Sequence, residues 1–232
     1  CAAARTGRRG GRMILSRGRR FIFVHIPKTG GTAMALALEG RAKADDILIG
    51  DTPKAVKRRG RLKGVQAEGR LWKHSTLADI EGLVAREEMD DFLIFTLVRN
   101  PWDRMVSYYH WLKEQGFDHP AVALARDLGF ADFLRHPETA ATVKANPYGS
   151  YLRDGSGRER AGHFVRIEHF DEDFAPIAAH LGFSVTLERV NQSDRERDWR
   201  GYYDAALAAH VADLCAEDIA RFGYGFEEVA HG

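Results

Sequence analysis

A short apolar run that breaks into a glycine loop, and at once into helix-forming residues, constrains this chain more than any other feature. Residues 21–32 read Phe21-Ile22-Phe23-Val24-His25-Ile26-Pro27-Lys28-Thr29-Gly30-Gly31-Thr32, and sequence rich in Ala, Leu and Met continues to Glu39. The first part suits a buried strand and the last part a helix. Strand, glycine loop and helix N-terminus in that order form an anion-binding device. Backbone N–H groups, a lysine and two threonine hydroxyls are offered to one ligand. The ligand expected there carries phosphate or a similar oxyanion.

The rest of the chain alternates between the same two kinds of element. Phe92 to Val98 is apolar enough for a strand buried on both faces, and Pro101 opens a helix to about Gln115. Ile47 to Ile49 and His163 to Ile167 read as further strands. Helices are expected over 120–136, Asp171 to Leu181 and Tyr202 to Phe222, the last ended by Gly223 and Gly225. Thr76 and Asp79 match a helix start. Residues 51–70 read as a loop, and 138–162 hold no clear element. Strands separated by helices predict a mainly parallel sheet covered on both faces. In such a sheet the Lys28 loop and the Arg99 turn both leave strand carboxyl ends, where ligands bind.

Charge bears on the partner. The 232 residues carry 34 basic and 33 acidic side chains, a formal net charge of +1, whereas a nucleic-acid binder usually shows a larger basic excess. The positive charge is uneven. The first twenty residues hold seven arginines and no acid, and read as a basic, disordered arm. A second run spans Lys54 to Lys63. A solvated surface is the ordinary reading of both; attraction of an anionic substrate is the functional one. Cys1 and Cys215 lie too far apart in sequence for a metal motif, and their number suits a reducing compartment. No apolar run approaches a membrane span, so a cytoplasmic protein is expected.

The glycine loop does not follow the nucleotide-kinase pattern, because Lys28 precedes the glycines and no Lys-Ser/Thr pair opens the helix. The strongest strand ends Val98-Arg99-Asn100-Pro101, a cation where a metal-using NTPase often has a carboxylate for magnesium. Two anion sites without an evident metal site suggest a ligand with phosphate at both ends. Ser107, inside an otherwise bulky helix, could face back toward Arg99. Close packing explains a small residue there equally well.

Taken together, Pro27-Lys28-Thr29-Gly30-Gly31-Thr32 resembles the 5′-phosphosulfate loop of sulfotransferases that use 3′-phosphoadenylyl sulfate (PAPS). Arg99 to Arg104 and Ser107 resemble their 3′-phosphate segment. The likeness is greatest to carbohydrate sulfotransferases related to the heparan sulfate 2-O enzymes and their bacterial relatives. Lys73-His74-Ser75-Thr76, Arg166 to Phe170 with Asp173-Phe174, Asn191-Gln192-Ser193, Tyr202-Tyr203-Asp204 and Phe222-Gly223-Tyr224 extend it over residues 20 to 226. The resemblance implies an α/β, P-loop-like three-layer fold and a single sulfotransferase domain over 21–230. It implies PAPS as sulfuryl donor, no metal, and a glycan or glycolipid hydroxyl as acceptor. Lys28 would contact the phosphosulfate and stabilise the leaving oxygen. Thr29, Gly30, Gly31 and Thr32 would cradle the 5′-phosphate through N–H groups and hydroxyls, and Arg99 and Ser107 would hold the 3′-phosphate. His74 would be the general base, with Glu68 as a rival and Lys73 as an orienting or acceptor-facing residue. Asn191 and Ser193 would line the cofactor side, and Arg158 and Arg160 would close over donor or acceptor. A P-loop nucleotide kinase and a non-catalytic anion- or nucleic-acid-binding module are the competing readings.

Overall fold

A computed structural model describes residues 12–187 and 198–227. Asn191 and Ser193, and the first eleven residues of the expected basic arm, lie outside the described residues.

Five strands form one sheet in the order β3-β1-β2-β4-β5. They are β1 (Arg12–Ser16), β2 (Phe21–Val24), β3 (Ile47–Gly50), β4 (Leu93–Val98) and β5 (Gly162–Arg166). β1 runs antiparallel to both neighbours, while β2, β4 and β5 are parallel in sequence across the sheet. Four of the five strands therefore point the same way, as expected. Their carboxyl ends gather the Lys28 loop, Asp51, the Arg99 turn and Glu168 on one edge.

Strand alternation splits the core between two faces. Ile14, Phe21, Phe23, Phe95 and Leu97 pack with α1 (Gly31–Gly40) on one side. Met13, Leu15, Ile22, Val24 and Ile94 pack on the other, against Leu77, Ile80 and Met89. Between β3 and β4 stands α2 (Pro53–Arg58); after β4 come α3 (Pro101–Lys113), α4 (Pro120–Asp127), α5 (Phe130–Arg135) and α6 (Pro137–Ala145). The remaining helices are α7 (Phe170–Leu181), α8 (Ala205–Leu214) and α9 (Ala216–Phe222). α7 joins α1 on the first face, where Phe174 and Ile177 are buried, while α3 to α5 and α8 build a third cluster around Trp102, Tyr109, Phe133 and Val211.

Several boundaries differ from those expected. The sheet begins at Arg12, inside the segment read as a disordered arm. Met13, Ile14 and Leu15 are almost wholly buried because β1 pairs on both edges, and three apolar residues flanked by arginines are too few to show a period. Arg12 itself is buried against Glu39. Within 51–70, Thr52 caps α2 by accepting from the Ala55 N–H at 3.4 Å, and Arg59–Leu62 continue as a 3₁₀ turn. The expected helix over 120–136 is two, broken at Leu128-Gly129, and 138–162 contains most of α6 and a 3₁₀ turn at Tyr148–Leu152. Asp204 caps α8, and buried Cys215 interrupts the long C-terminal helix. Thr76 and Asp79 exchange the hydrogen bonds of a capping box, yet open only a 3₁₀ turn.

Candidate active site

The loop after β2 is held by its own side chains. The Thr29 hydroxyl is fully buried and donates to the Ile26 carbonyl at 3.0 Å. It braces the loop rather than facing a ligand, which corrects the expectation that both threonine hydroxyls cradle phosphate. Thr32, in the first turn of α1, is partly exposed. Gly30 caps α1 with φ 84°, and Lys28 has φ 67°, a left-handed conformation that costs a side-chain-bearing residue energy. Strain of this kind, of order 1–3 kcal/mol, persists where surrounding structure enforces it and concentrates at ligand clamps. The turn leaves the first N–H groups of α1 without intrahelical acceptors. Gly31 is fixed by contact: a Cβ there would fall inside the His25 ring.

His25 joins this loop to the proposed base. Its ring is 3% exposed, and its carbonyl accepts a hydrogen bond from His74 Nδ1 at 2.8 Å. A carbonyl can only accept, so Nδ1 carries the proton and neutral His74 presents its lone pair at Nε2. The two rings lie 4.6 Å apart, and Trp72 packs edge-on to His74 at 5.0 Å. Burial lowers the His74 pKa to about 3, against the hydrogen bond to His25; Lys73, Arg104 and Lys28 lower it further. Burial likewise holds His25 well below the usual imidazole range. Lys73 pairs with Asp51 at 3.5 Å, tying the base segment to the end of β3.

Helix α3 supplies the opposite wall. Arg104 Nε donates to the Pro27 carbonyl at 3.1 Å, and its guanidinium lies 4.8 Å from the Tyr148 ring centroid. Lys28 Nζ lies 5.5 Å from the Trp111 ring centroid. Arg104, Ser107 and Trp111 are spaced along one helix face, so Ser107, 6% exposed, falls between two residues that meet the loop. Lys28, His74, Arg104 and Trp111 are thus brought together. Arg104 belonged to the quoted motif but had no assigned task; a contact to a distant backbone carbonyl leaves no trace in spacing.

The Arg99 guanidinium is engaged within its own helix turn. It donates through Nε to Asp103 Oδ2 at 2.7 Å, one turn along α3. Its backbone is clamped from two sides. Tyr148 donates to the Arg99 carbonyl, and Glu168 accepts the Asn100 N–H at 2.7 Å. Burial raises the Glu168 pKa, partly offset by that N–H. Glu68 lies elsewhere, exposed beside Glu81 and Arg86 in a polar recess, and its N–H donates to the Glu81 carbonyl at 2.9 Å. Arg160 is buried and bound to Asp154 and Asp90 at 2.7 and 2.6 Å, a structural duty rather than closure over a ligand. Arg158 is exposed. Among the described residues no cluster of metal-ligating side chains occurs.

Comparison with known proteins gives the family of the chain. No match occurs among curated proteins. Among solved structures the chain is similar to mouse sulfotransferase SULT7A1 complexed with PAP, at 17% identity and a TM-score of 0.45, over 85% of this chain and 83% of that one. The family model described as "Sulfotransferase family" matches residues 11–224, spanning the whole sheet, the glycine loop, the His74 segment and α3. A match of that extent includes every element that shapes the crevice, and the chain belongs to the sulfotransferase family.

Proposed function

We propose that this sulfotransferase passes the sulfuryl group of PAPS to a carbohydrate hydroxyl by in-line displacement, with His74 as general base and Lys28 at the leaving oxygen. One observation carries the reading. The loop suited to the phosphosulfate and the imidazole suited to the acceptor proton share a strand end, through the His74–His25 hydrogen bond of 2.8 Å. The acceptor oxygen attacks sulfur as the bond from sulfur to the bridging oxygen breaks. The acceptor proton passes to His74 Nε2, and adenosine 3′,5′-bisphosphate leaves with its new charge beside Lys28. As in phosphoryl transfer, rate comes from positioning and charge stabilisation.

His74 is neutral at neutral pH and so can take a proton. A donor carrying several negative charges offsets the influence of Lys28, Lys73 and Arg104 and raises its basicity when bound. Arg99 and Ser107 are the proposed 3′-phosphate residues. A sugar ring is the favoured acceptor because aromatic faces border both reacting groups: Trp72 beside His74, and Trp111 beside Lys28. A cytoplasmic, bacterial-type setting is part of the same reading; buried Cys215, its thiol pushed up to about 12 by burial, suits a reducing compartment. No helix among the described residues is long and apolar enough to cross a membrane.

Calorimetry with adenosine 3′,5′-bisphosphate against the 5′-monophosphate tests the two-ended donor site. A charge-assisted contact to the second phosphate is worth about 1.5–3 kcal/mol, so the bisphosphate should bind roughly 10- to 150-fold more tightly. Equal affinities would remove the second anion site, and Arg99 and Ser107 with it.

A further inference from the structure

The basic run Lys54 to Lys63 has no part in the mechanism above, and it concentrates on one short segment cations that many other surface positions pair with an acid. Arg17, Arg20, Arg86, Arg153, Arg200 and Arg221 each pair with an acid. The six cations from Lys54 to Lys63 meet no carboxylate within salt-bridge distance among the described residues. Three of them anchor the segment. Lys54 donates to the Glu39 carbonyl at 2.8 Å, Arg58 to the Lys43 carbonyl at 2.7 Å, and Arg61 to the Ala44 carbonyl. Carbonyls fix these side chains without neutralising them. Lys57, Arg59 and Lys63 project from the anchored strap and are exposed. No Asp or Glu occurs from 53 to 67, so the strap carries a concentrated positive charge on a protein whose formal net charge is only +1.

Apolar side chains are exposed along the same stretch of chain. Among the described residues the large exposed hydrophobic side chains are Val56 (48%), Val65 (37%), Trp72 (41%) and Phe117 (48%). Val56 and Val65 sit in the strap. Trp72 adjoins it, because Lys73 pairs with Asp51, the residue preceding the α2 cap. The Arg70 guanidinium lies 5.5 Å from the Trp72 ring centroid. Cations interleaved with exposed valines and a tryptophan match the chemistry of an anionic bilayer surface, which takes charge at the headgroups and apolar groups just beneath. A soluble acidic polymer uses the charges alone and leaves the valines in water.

We propose that the strap from Lys54 to Val65, with Trp72 at its border, docks this protein on anionic lipid headgroups. The occupant is the membrane surface itself, bound peripherally. The inference does not rest on the donor chemistry, and its test needs no turnover.

The test is cosedimentation with phosphatidylcholine vesicles, with and without phosphatidylglycerol, across a salt series. The wild-type chain should bind only the phosphatidylglycerol vesicles, and salt should weaken binding. Each juxtamembrane cation contributes about 1 kcal/mol, so K57Q/R59Q/K63Q should lower partitioning on the order of 100-fold. V56S/V65S should lower it several-fold and keep the salt dependence. Thermal unfolding midpoints equal to wild type show that both variants are folded. Equal binding to neutral and anionic vesicles overturns the proposal, as does wild-type partitioning by either variant. Retention on dextran sulfate without vesicle binding also overturns it and makes an acidic polymer the partner.

Discussion

His74→Asn separates two consequences of the packed His25–His74 pair. Asparagine keeps an N–H to donate to the His25 carbonyl but does not titrate. In the folded chain the His74 pKa is about 3, against 6.5 for the unperturbed group. The unfolded state therefore binds a proton that the folded state refuses, and stability falls as pH drops below the unfolded value. Above about pH 7 neither state is protonated, and the contribution to the pH dependence vanishes. Each pH unit below 6.5 costs about 1.36 kcal/mol, so at about pH 5 the loss is about 2 kcal/mol. Any folded pKa below about 4 gives nearly the same loss at that pH. His25, lowered in the same direction, adds a second loss that the variant retains. Urea unfolding at about pH 7.5 and about pH 5 should show wild type losing about 2 kcal/mol more than His74→Asn. Carboxylates cancel in that difference, and any change in the hydrogen bond appears equally at both pH values. Parallel losses would mean that His74 titrates normally in the folded chain, and that the burial argument for a neutral, proton-accepting base is wrong.

Two further outcomes follow from contacts at the glycine loop. Gly31→Ala puts a methyl into the His25 ring; the site has no space to relax, so destabilisation of at least about 1–3 kcal/mol is expected by thermal unfolding, together with weaker adenosine 3′,5′-bisphosphate binding. Arg104→Met keeps much of the stem but removes the donor to the Pro27 carbonyl and the charge over Tyr148. Calorimetry should show bisphosphate affinity falling about tenfold or more, a change too large for surface charge loss alone.

The legible parts of the fold were those where one period ran long enough to read. β4 carries six consecutive residues buried on both faces or nearly so, and it begins one residue from the expected start. β1 has three apolar residues beside Arg12, and only pairing on both edges makes it a strand. α2 was hidden because its stability lies in the Thr52 cap and the carbonyl anchors of Lys54 and Arg58, and cations alone look like a solvated loop. In the site, Lys28 and His74 stood out as candidates because each sits in a motif of fixed order. Their proximity could not, since it depends on a hydrogen bond between residues 25 and 74. Arg104, Tyr148 and Glu168 act on backbone groups of distant loops, and such roles demand geometry rather than a recognisable neighbour.

The turn at Arg99 shows how such an edge can be ready for an anion before one arrives. Asn100 caps α3 by accepting the Trp102 N–H at 3.1 Å, which places Asp103 in the first turn, where a negative charge is favoured by the helix dipole. Arg99 then reaches that carboxylate across one turn, so the protein's own acid occupies a position that two independent features make attractive to negative charge. A 3′-phosphate offers Arg99 more charge and three acceptor oxygens in place of one shared carboxylate oxygen. If Arg99 takes the 3′-phosphate as proposed, exchange of partner asks the guanidinium to rotate while Tyr148 and Glu168 hold the backbone of the turn from behind. The strained Lys28 loop and the clamped Arg99 turn thus follow one design, in which constrained backbone at parallel strand ends presents a cation.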